Sequence, residues 1–353
     1  MIPYLILLFT VTMMAYLGRI NSSKGVKNLS IIIISLLLVL FAGLRDRAVG
    51  TDTGTYISLF MRYGSLDNIF LTQEIGFNTL RILTKTISDN YAIHLVSIAL
   101  IVVSCYMLTI VRLTKRYETA VFLFIALGFY TFFFNGARQG IAAAICFFAL
   151  PWLLERKPKQ YFLLVGLAFL FHKTAFIAAP LYFIAVSRVG WRQIFGVTTG
   201  AIVISLFLAV FVQMAVFLFG DKYSTYAVAT EEGGGRITTL FLIFQGLLLY
   251  IFRPKLSKDS ETYNRLLNIY LIGLVPIVAA TLSNVNPSGI LRLHLYFSGT
   301  AILLWPMVFM SWKDTPRRML ISLAFAVFTI VYFTLITSSF SHLSPYKFNQ
   351  SIF

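Results

Sequence analysis

Acidic residues are scarce in this chain: 13 Asp and Glu stand against 29 Lys and Arg among 353 residues, and charged side chains of both signs make up only 12%. With 58% of the residues hydrophobic, a water-soluble fold would expose far too much apolar surface, so the composition indicates a polytopic membrane protein. The net charge of +16 would suit a nucleic-acid binder only if the basic residues gathered on one soluble face. They are dispersed between apolar runs instead, where they act as topology signals. Cysteine is nearly absent; Cys105 and Cys146 both lie inside apolar runs, and neither a disulfide framework nor a metal-ligand spacing follows from them. No soluble cytoplasmic domain, Walker-type motif or dinucleotide glycine motif is found, so no cofactor is expected. There is also no internal repeat strong enough to mark a transporter's inverted halves. Residues 1–18 lack a basic n-region and an A-x-A-like cleavage site, and read as a retained span.

Long hydrophobic runs are what the chain has in quantity. A crossing helix needs about 20 residues for a hydrocarbon core of roughly 30 Å, fewer where flanking side chains snorkel. On that measure helices are expected near 3–18, 28–44, 92–112, 118–134, 137–155, 160–172, 174–187, 193–219, 237–252, 263–283, 290–310 and 317–337, an all-α bundle of twelve spans in one integral membrane domain, 1–353. Assigning the first connection to the cytoplasm gathers most of the basic residues there, including Arg19, Lys24, Lys27, Arg112, Lys115, Arg116, Arg156 and Lys157, and leaves both termini outside. The stretch 160–187 is long for one helix and short for two. A single crossing would put the later basic connections on the wrong side, so a short or re-entrant hairpin bent at His172-Lys173 is expected, its polar hinge pointing outward. Residues 45–91 then form a long extracytoplasmic loop with amphipathic helices, and 220–236 a second outer loop. His94, His172, His294 and His342 all fall in or near the outer half.

Within "FYTFFFNGARQGIAAAICFF", Arg138 opens the fifth helix at its outer edge, with Asn135 and Gln139 beside it. Either Arg138 snorkels to lipid headgroups while the small residues Gly136, Gly140 and Ala144 pack, or it faces the bundle interior and marks a substrate path. The outer loop begins "AGLRDRAVGTDTGTY", where Arg45 and a glycine-flanked Thr51-Asp52-Thr53 either present an anion-binding turn or simply start a charged loop. In "QEIGFNTLRILTKTIS", Phe77, Leu80, Leu83 and Ile87 share one helical face and Glu74, Asn78, Arg81 and Lys85 the other. If that polar face roofs a cavity, Glu74 is its acid–base carboxylate; otherwise it is solvated. His172, at a helix break beside Lys173, is either a structural hydrogen-bonding group or a catalyst. Arg292 and Tyr296 share a helical face at i and i+4 in "NVNPSGILRLHLYFSG". Alone they would read as a snorkelling arginine with an interfacial tyrosine. Arg45, Arg138 and Arg292 at the outer ends of different helices would repel one another at one depth unless an anion gathers them, and a polyanionic lipid headgroup would do so.

In order along the chain, "GLRDRAVGTDTGTY", a following glutamate, "FNGARQGIAAAI", "FLFHKTAFIAAPLYFI" and "RLHLYF" resemble the EpsG-like, Wzy-type bacterial polysaccharide polymerases. The resemblance covers most of the chain. It implies a multi-pass, GT-C-like glycosyltransferase of the bacterial inner membrane that joins oligosaccharide repeat units carried on a polyprenyl diphosphate, at the outer leaflet. Donor and acceptor would both be lipid-linked, with a flippase and a chain-length regulator as working partners and no nucleic acid. Carried over residue by residue, Arg45, Asp52, Glu74, Asn135, Arg138, Gln139, His172 and Arg292 match its motifs; Lys173 and Tyr296 enter only by position. His172, Glu74 and Asp52 are the expected catalytic groups. Arg45, Asn135, Arg138, Gln139, Lys173, Arg292 and Tyr296 are the expected diphosphate- and sugar-binding groups, with no metal. A lipid-linked oligosaccharide flippase, whose charges would reach both leaflets, and an O-antigen ligase, which differs in acceptor, remain the alternatives.

Overall fold

A computed structural model describes residues 1–21, 23–62, 74–185, 189–207, 210, 214, 217, 235–253, 260–282, 287–311 and 315–349. Residues 63–73 and 220–234, which belong to the two loops expected at 45–91 and 220–236, therefore lie outside the described residues. The described chain is helical, without a strand, and seven of its helices are long and apolar enough to cross a membrane, or eight if one bent pair counts as a span. Shorter apolar helices occupy Pro158–Phe171, Lys173–Ile184 and Arg236–Phe252. The chain divides into two compact units, one made of Met1–Phe176 with Lys313–Phe353, the other of Ile177–Trp312.

In the first unit α1 (Ile2–Ile20) and α2 (Lys24–Gly43) pack closely, Gly18 facing Ser30, whose hydroxyl donates to the Met14 carbonyl at 2.8 Å. Two short helices follow, α3 (Thr53–Arg62) and α4 (Ile75–Ile87). On α4, Phe77 is buried and Leu83 and Ile87 are exposed. The long span α5 (Tyr91–Leu113) packs on α2, where Gly43 lies against Val96 because a side chain there would collide. The run expected at 118–134 is broken into α6 (Tyr117–Ala126) and α7 (Phe129–Asn135) by Gly128, whose φ of 83° only glycine adopts without cost. α8 (Ala137–Phe148) and α9 (Leu150–Leu154) follow, then α10 (Pro158–Phe171), which begins on a proline. Tyr106 of α5 stacks between Phe124 and Phe147 at 4.4 and 4.6 Å, tying α6 and α8 to the central span. Gly140 makes its close approach to Phe133 of α7, so that part of the small-residue stripe serves the hairpin's own two arms.

The hinge expected at His172-Lys173 is present. α10 ends at Phe171, His172 is extended, and a 3-10 turn, Lys173–Ala178, leads to α11 (Leu181–Ile184). In the second unit α12 (Trp191–Leu206) and α13 (Arg236–Phe252) pack on α14 (Ser260–Leu282). Gly246 of α13 lets Tyr270 come close, and the Tyr270 hydroxyl donates to the Leu242 carbonyl at 2.8 Å. After α15 (Pro287–Ile290), a 3-10 turn (Leu291–His294) and α16 (Leu295–Ser298) meet α17 (Ala301–Ser311) at a bend of 49°. α18 (Thr315–Leu335) returns to the first unit and ends in a π turn, Ile336–Phe340. Residues 341–349 then run back as an extended strap, with Phe348 bridged to Arg45.

Candidate active site

Glu74 stands immediately before α4, and its side chain does not cap that helix. Gly76, two residues on, allows α4 to press against the end of α10: a Cβ at this position would lie 3.1 Å from the backbone carbonyl of Leu170. That contact brings the start of α4 beside the residue that ends α10. The His172 N–H still closes the last turn onto the Ala168 carbonyl at 3.0 Å, but its extended backbone (φ −157°, ψ 124°) takes the chain out of the helix. The imidazole Nδ1 reaches Glu74 Oε1 at 2.7 Å.

The other oxygen of the same carboxylate, Oε2, accepts from Arg138 Nη1. Arg138 is the second residue of α8, whose leading Ala137 N–H donates to the Tyr56 hydroxyl at 3.1 Å. Its guanidinium lies over the Phe77 ring at 5.3 Å, and Phe77 in turn touches Tyr56 at 5.7 Å. Glu74 is thus nearly sealed, its side chain 8% exposed, while Arg138 keeps 29% of its side-chain surface open. Because the carboxylate is held by a guanidinium, it is an acceptor at both oxygens, and the shared hydrogen on His172 must sit on Nδ1. A neutral His172 then keeps its lone pair on Nε2. The arrangement presents an open cation and an oriented imidazole side by side.

The remaining expected residues divide by location. Gln139 is buried, 7% exposed, on α8, and Lys173 is half-buried at the start of the 3-10 turn. Asn135 accepts from the Thr51 N–H at 2.9 Å through Oδ1 and donates to the Ser341 carbonyl at 2.6 Å through Nδ2. Asp52 precedes α3, gives its backbone carbonyl to the Tyr56 N–H at 3.1 Å, and takes the Thr51 hydroxyl at 3.1 Å on its side chain. Arg45 is 1% exposed, with Nη1 on the Ala42 carbonyl at 2.5 Å, Nε on the Thr53 hydroxyl at 3.2 Å, and the guanidinium over Phe134 at 4.4 Å. Burial pulls its pKa down to about 10, which still leaves it cationic at neutral pH. Arg292 and Tyr296 lie in the second unit, on the 3-10 turn and α16 respectively; Tyr296 is buried. Among the described residues, no group of three or more His, Cys, Asp or Glu side chains converges as a metal site would require.

The order of these elements, a glutamate before α4, an arginine opening α8 and a histidine ending α10, lies wholly inside a stretch matched by one family: the EpsG family model covers residues 28–348. The chain belongs to the EpsG family. No curated protein and no solved structure matches it. EpsG membership suggests a polysaccharide-polymerase type of function, and with the long apolar helices it indicates an integral membrane protein acting in polysaccharide biosynthesis. For an EpsG-family chain, lipid-linked sugars are the substrate class this suggests.

Sequence reasoning did not find Tyr56 as a partner of α8, Gly76 as the close-approach point, or the strap 341–349 as part of the frame. Gly76 left a trace, a glycine two residues after the candidate carboxylate. The strap left none, since "SHLSPYKFN" has neither helical nor strand period.

Proposed function

We propose that this chain is a membrane glycosyltransferase that polymerises polyprenyl-diphosphate-linked oligosaccharide repeats at the outer face of the bacterial inner membrane. The observation that carries the reading is the single carboxylate, Glu74, holding a partly open arginine and an oriented histidine at once. Twelve spans in a GT-C-like arrangement, with the 45–91 loop outside, are part of the same proposal; the distribution of basic residues supports them.

In the reaction an acceptor sugar hydroxyl attacks the anomeric carbon of the growing chain. A new C–O bond forms there as the bond to the diphosphate oxygen breaks, and that bond's electron pair leaves with the lipid diphosphate. Charge builds on the diphosphate in the transition state, which favours a preorganised guanidinium. Arg138 supplies it, with Lys173 as a further cation. The acceptor proton passes to His172 Nε2. Glu74 holds the ring in the tautomer that can receive it and stabilises the imidazolium that results. The leaving group is already activated, so the step balances without a nucleotide.

Complementation of a strain lacking the gene tests this. With Arg138→Ala or Arg138→Lys the surface glycan ladder should collapse to single capped repeats. Polymer of normal length with both variants would sink the assignment. Absence of exported repeats would favour a flippase, and intact but unligated polymer a ligase.

A further inference from the structure

The turn just before Arg138 interrupts an apolar helix at a single residue, Gly136, whose N–H donates to the Phe132 carbonyl at 3.0 Å and whose carbonyl accepts from the Gly140 N–H at 2.7 Å. α7 ends at Asn135, Gly136 breaks the helix at φ −140° and ψ 55°, and α8 starts at Ala137. We infer that Asn135 is a positioning residue that fixes Arg138 by fastening this turn to the C-terminal strap, an inference that rests on reading Arg138 as the diphosphate-binding group.

The amide of Asn135 is engaged at both ends, by the Thr51 N–H on one side and the Ser341 carbonyl on the other, so its plane is fixed between loop and strap. Gly50 closes the junction. At φ 90° it lies so close that a Cβ would run into Asn135 Oδ1 and Leu343, and its N–H donates to the His342 carbonyl at 3.2 Å. The strap itself is registered along its length. Tyr4 donates to the Leu343 carbonyl at 2.8 Å, and the N-terminal ammonium donates to the Ser344 hydroxyl at 2.9 Å. Tyr346 stacks on Phe41 at 4.1 Å and donates to its carbonyl at 2.6 Å, while Asn349 N–H donates to the Leu44 carbonyl at 2.9 Å. A segment held this firmly is a fixed post, and Asn135 is the rope between it and the turn. Guanidinium placement matters at this scale, since a misplacement of about 1 Å costs on the order of 100-fold in rate.

The test uses the full-length protein in nanodiscs, with farnesyl diphosphate as the probe and its affinity and the melting temperature as readouts. Asn135→Ala cuts the rope. His342→Pro moves the post: His342 sits at φ 49°, which proline forbids, whereas His342→Gly keeps that conformation open. Its side chain is exposed, and its N–H has no hydrogen-bond partner among the described residues. Asn135→Ala and His342→Pro are each expected to weaken farnesyl diphosphate binding by about tenfold, and the double variant by no more than one of them. His342→Gly should bind like the wild type. Unchanged affinity in Asn135→Ala, or additive losses in the double variant, overturns the inference even where Arg138→Ala has lost binding. Wild-type binding by Arg138→Ala would bring down the reading of the site, and this inference with it.

Discussion

Arg138 opens a helix just after a turn and Arg45 follows the end of one, and the fold treats their guanidiniums in opposite ways. Arg138 has a carboxylate partner and an open flank; Arg45 has neither, being sealed at 1% exposure between a backbone carbonyl, a threonine hydroxyl and the face of Phe134. A guanidinium that must receive an incoming anion needs surface and a replaceable or compensating counter-charge. One that only ties loop to helix can rest on neutral acceptors, as Arg45 Nε and Nη1 do, its Nη2 being buried without a hydrogen-bond partner among the described residues. Arg45 therefore has the surroundings of a frame residue for the 45–53 segment, whereas Arg138 has those of a binding group. Sequence position alone makes the two look equivalent.

The comparison breaks most visibly at Arg138. Replacing it with Lys removes the planar fork and should lower polymerisation by about 100- to 1,000-fold, the range for losing one preorganised charge donor, with the melting temperature held. An in vitro polymer ladder beside a thermal melt checks both halves. Arg45→Ala should do the converse. Losing the buried stem, its hydrogen bonds and the ring contact is expected to cost about 3 kcal/mol of stability, read as a lower melting temperature and less protein in the membrane. The surviving molecules should still turn over. Intact stability with lost turnover in Arg45→Ala would erase the distinction between the two arginines. Gly76→Ala comes next. Its methyl must push α4 from Leu170, an overpacking cost of about 1–3 kcal/mol. It should also lengthen the 2.7 Å contact between Glu74 and His172, so activity should fall further than stability predicts.

Local pattern made the spans legible: α1, α2, α5 and α14 follow the expected runs at 3–18, 28–44, 92–112 and 263–283 closely, because hydropathy and basic flanks are properties of consecutive residues. The break at His172 was also legible, from a segment too short for two full crossings. The pairing of Glu74 with His172 was not, because it joins positions 98 apart through a helix contact made at Gly76. From the pattern, Glu74 belongs to the polar face of a helix, either roofing a cavity or solvated. It actually precedes α4, and that one-residue offset is what frees its carboxylate to face α8 and α10. The strap was illegible for a different reason. Its order comes from backbone hydrogen bonds to 44–50 and from Tyr346 on Phe41, which an aperiodic polar tail does not advertise.

The smallest effect is expected where the site's own motif recurs on open surface. Glu155 is also a carboxylate held from two sides, with Lys157 Nζ at 2.7 Å and Arg112 Nη2 at 2.5 Å, and Arg112 lies over Trp152 at 4.8 Å as Arg138 lies over Phe77. Hydrogen bonds from Lys157 and then Arg112 hold its carboxyl below the usual carboxylate range. Its interactions are therefore present above that range and fade as pH falls through the lowered value. Water and salt screen them throughout, since these side chains are 38–53% exposed. Glu155→Gln should accordingly leave both the polymer ladder and the melting temperature at wild-type values near neutral pH and physiological salt. A loss as large as that of Gly76→Ala would mean that a carboxylate bridging two basic side chains itself matters. Wild-type behaviour there, set against the collapse expected at Arg138, would assign the difference to the sealing of Glu74.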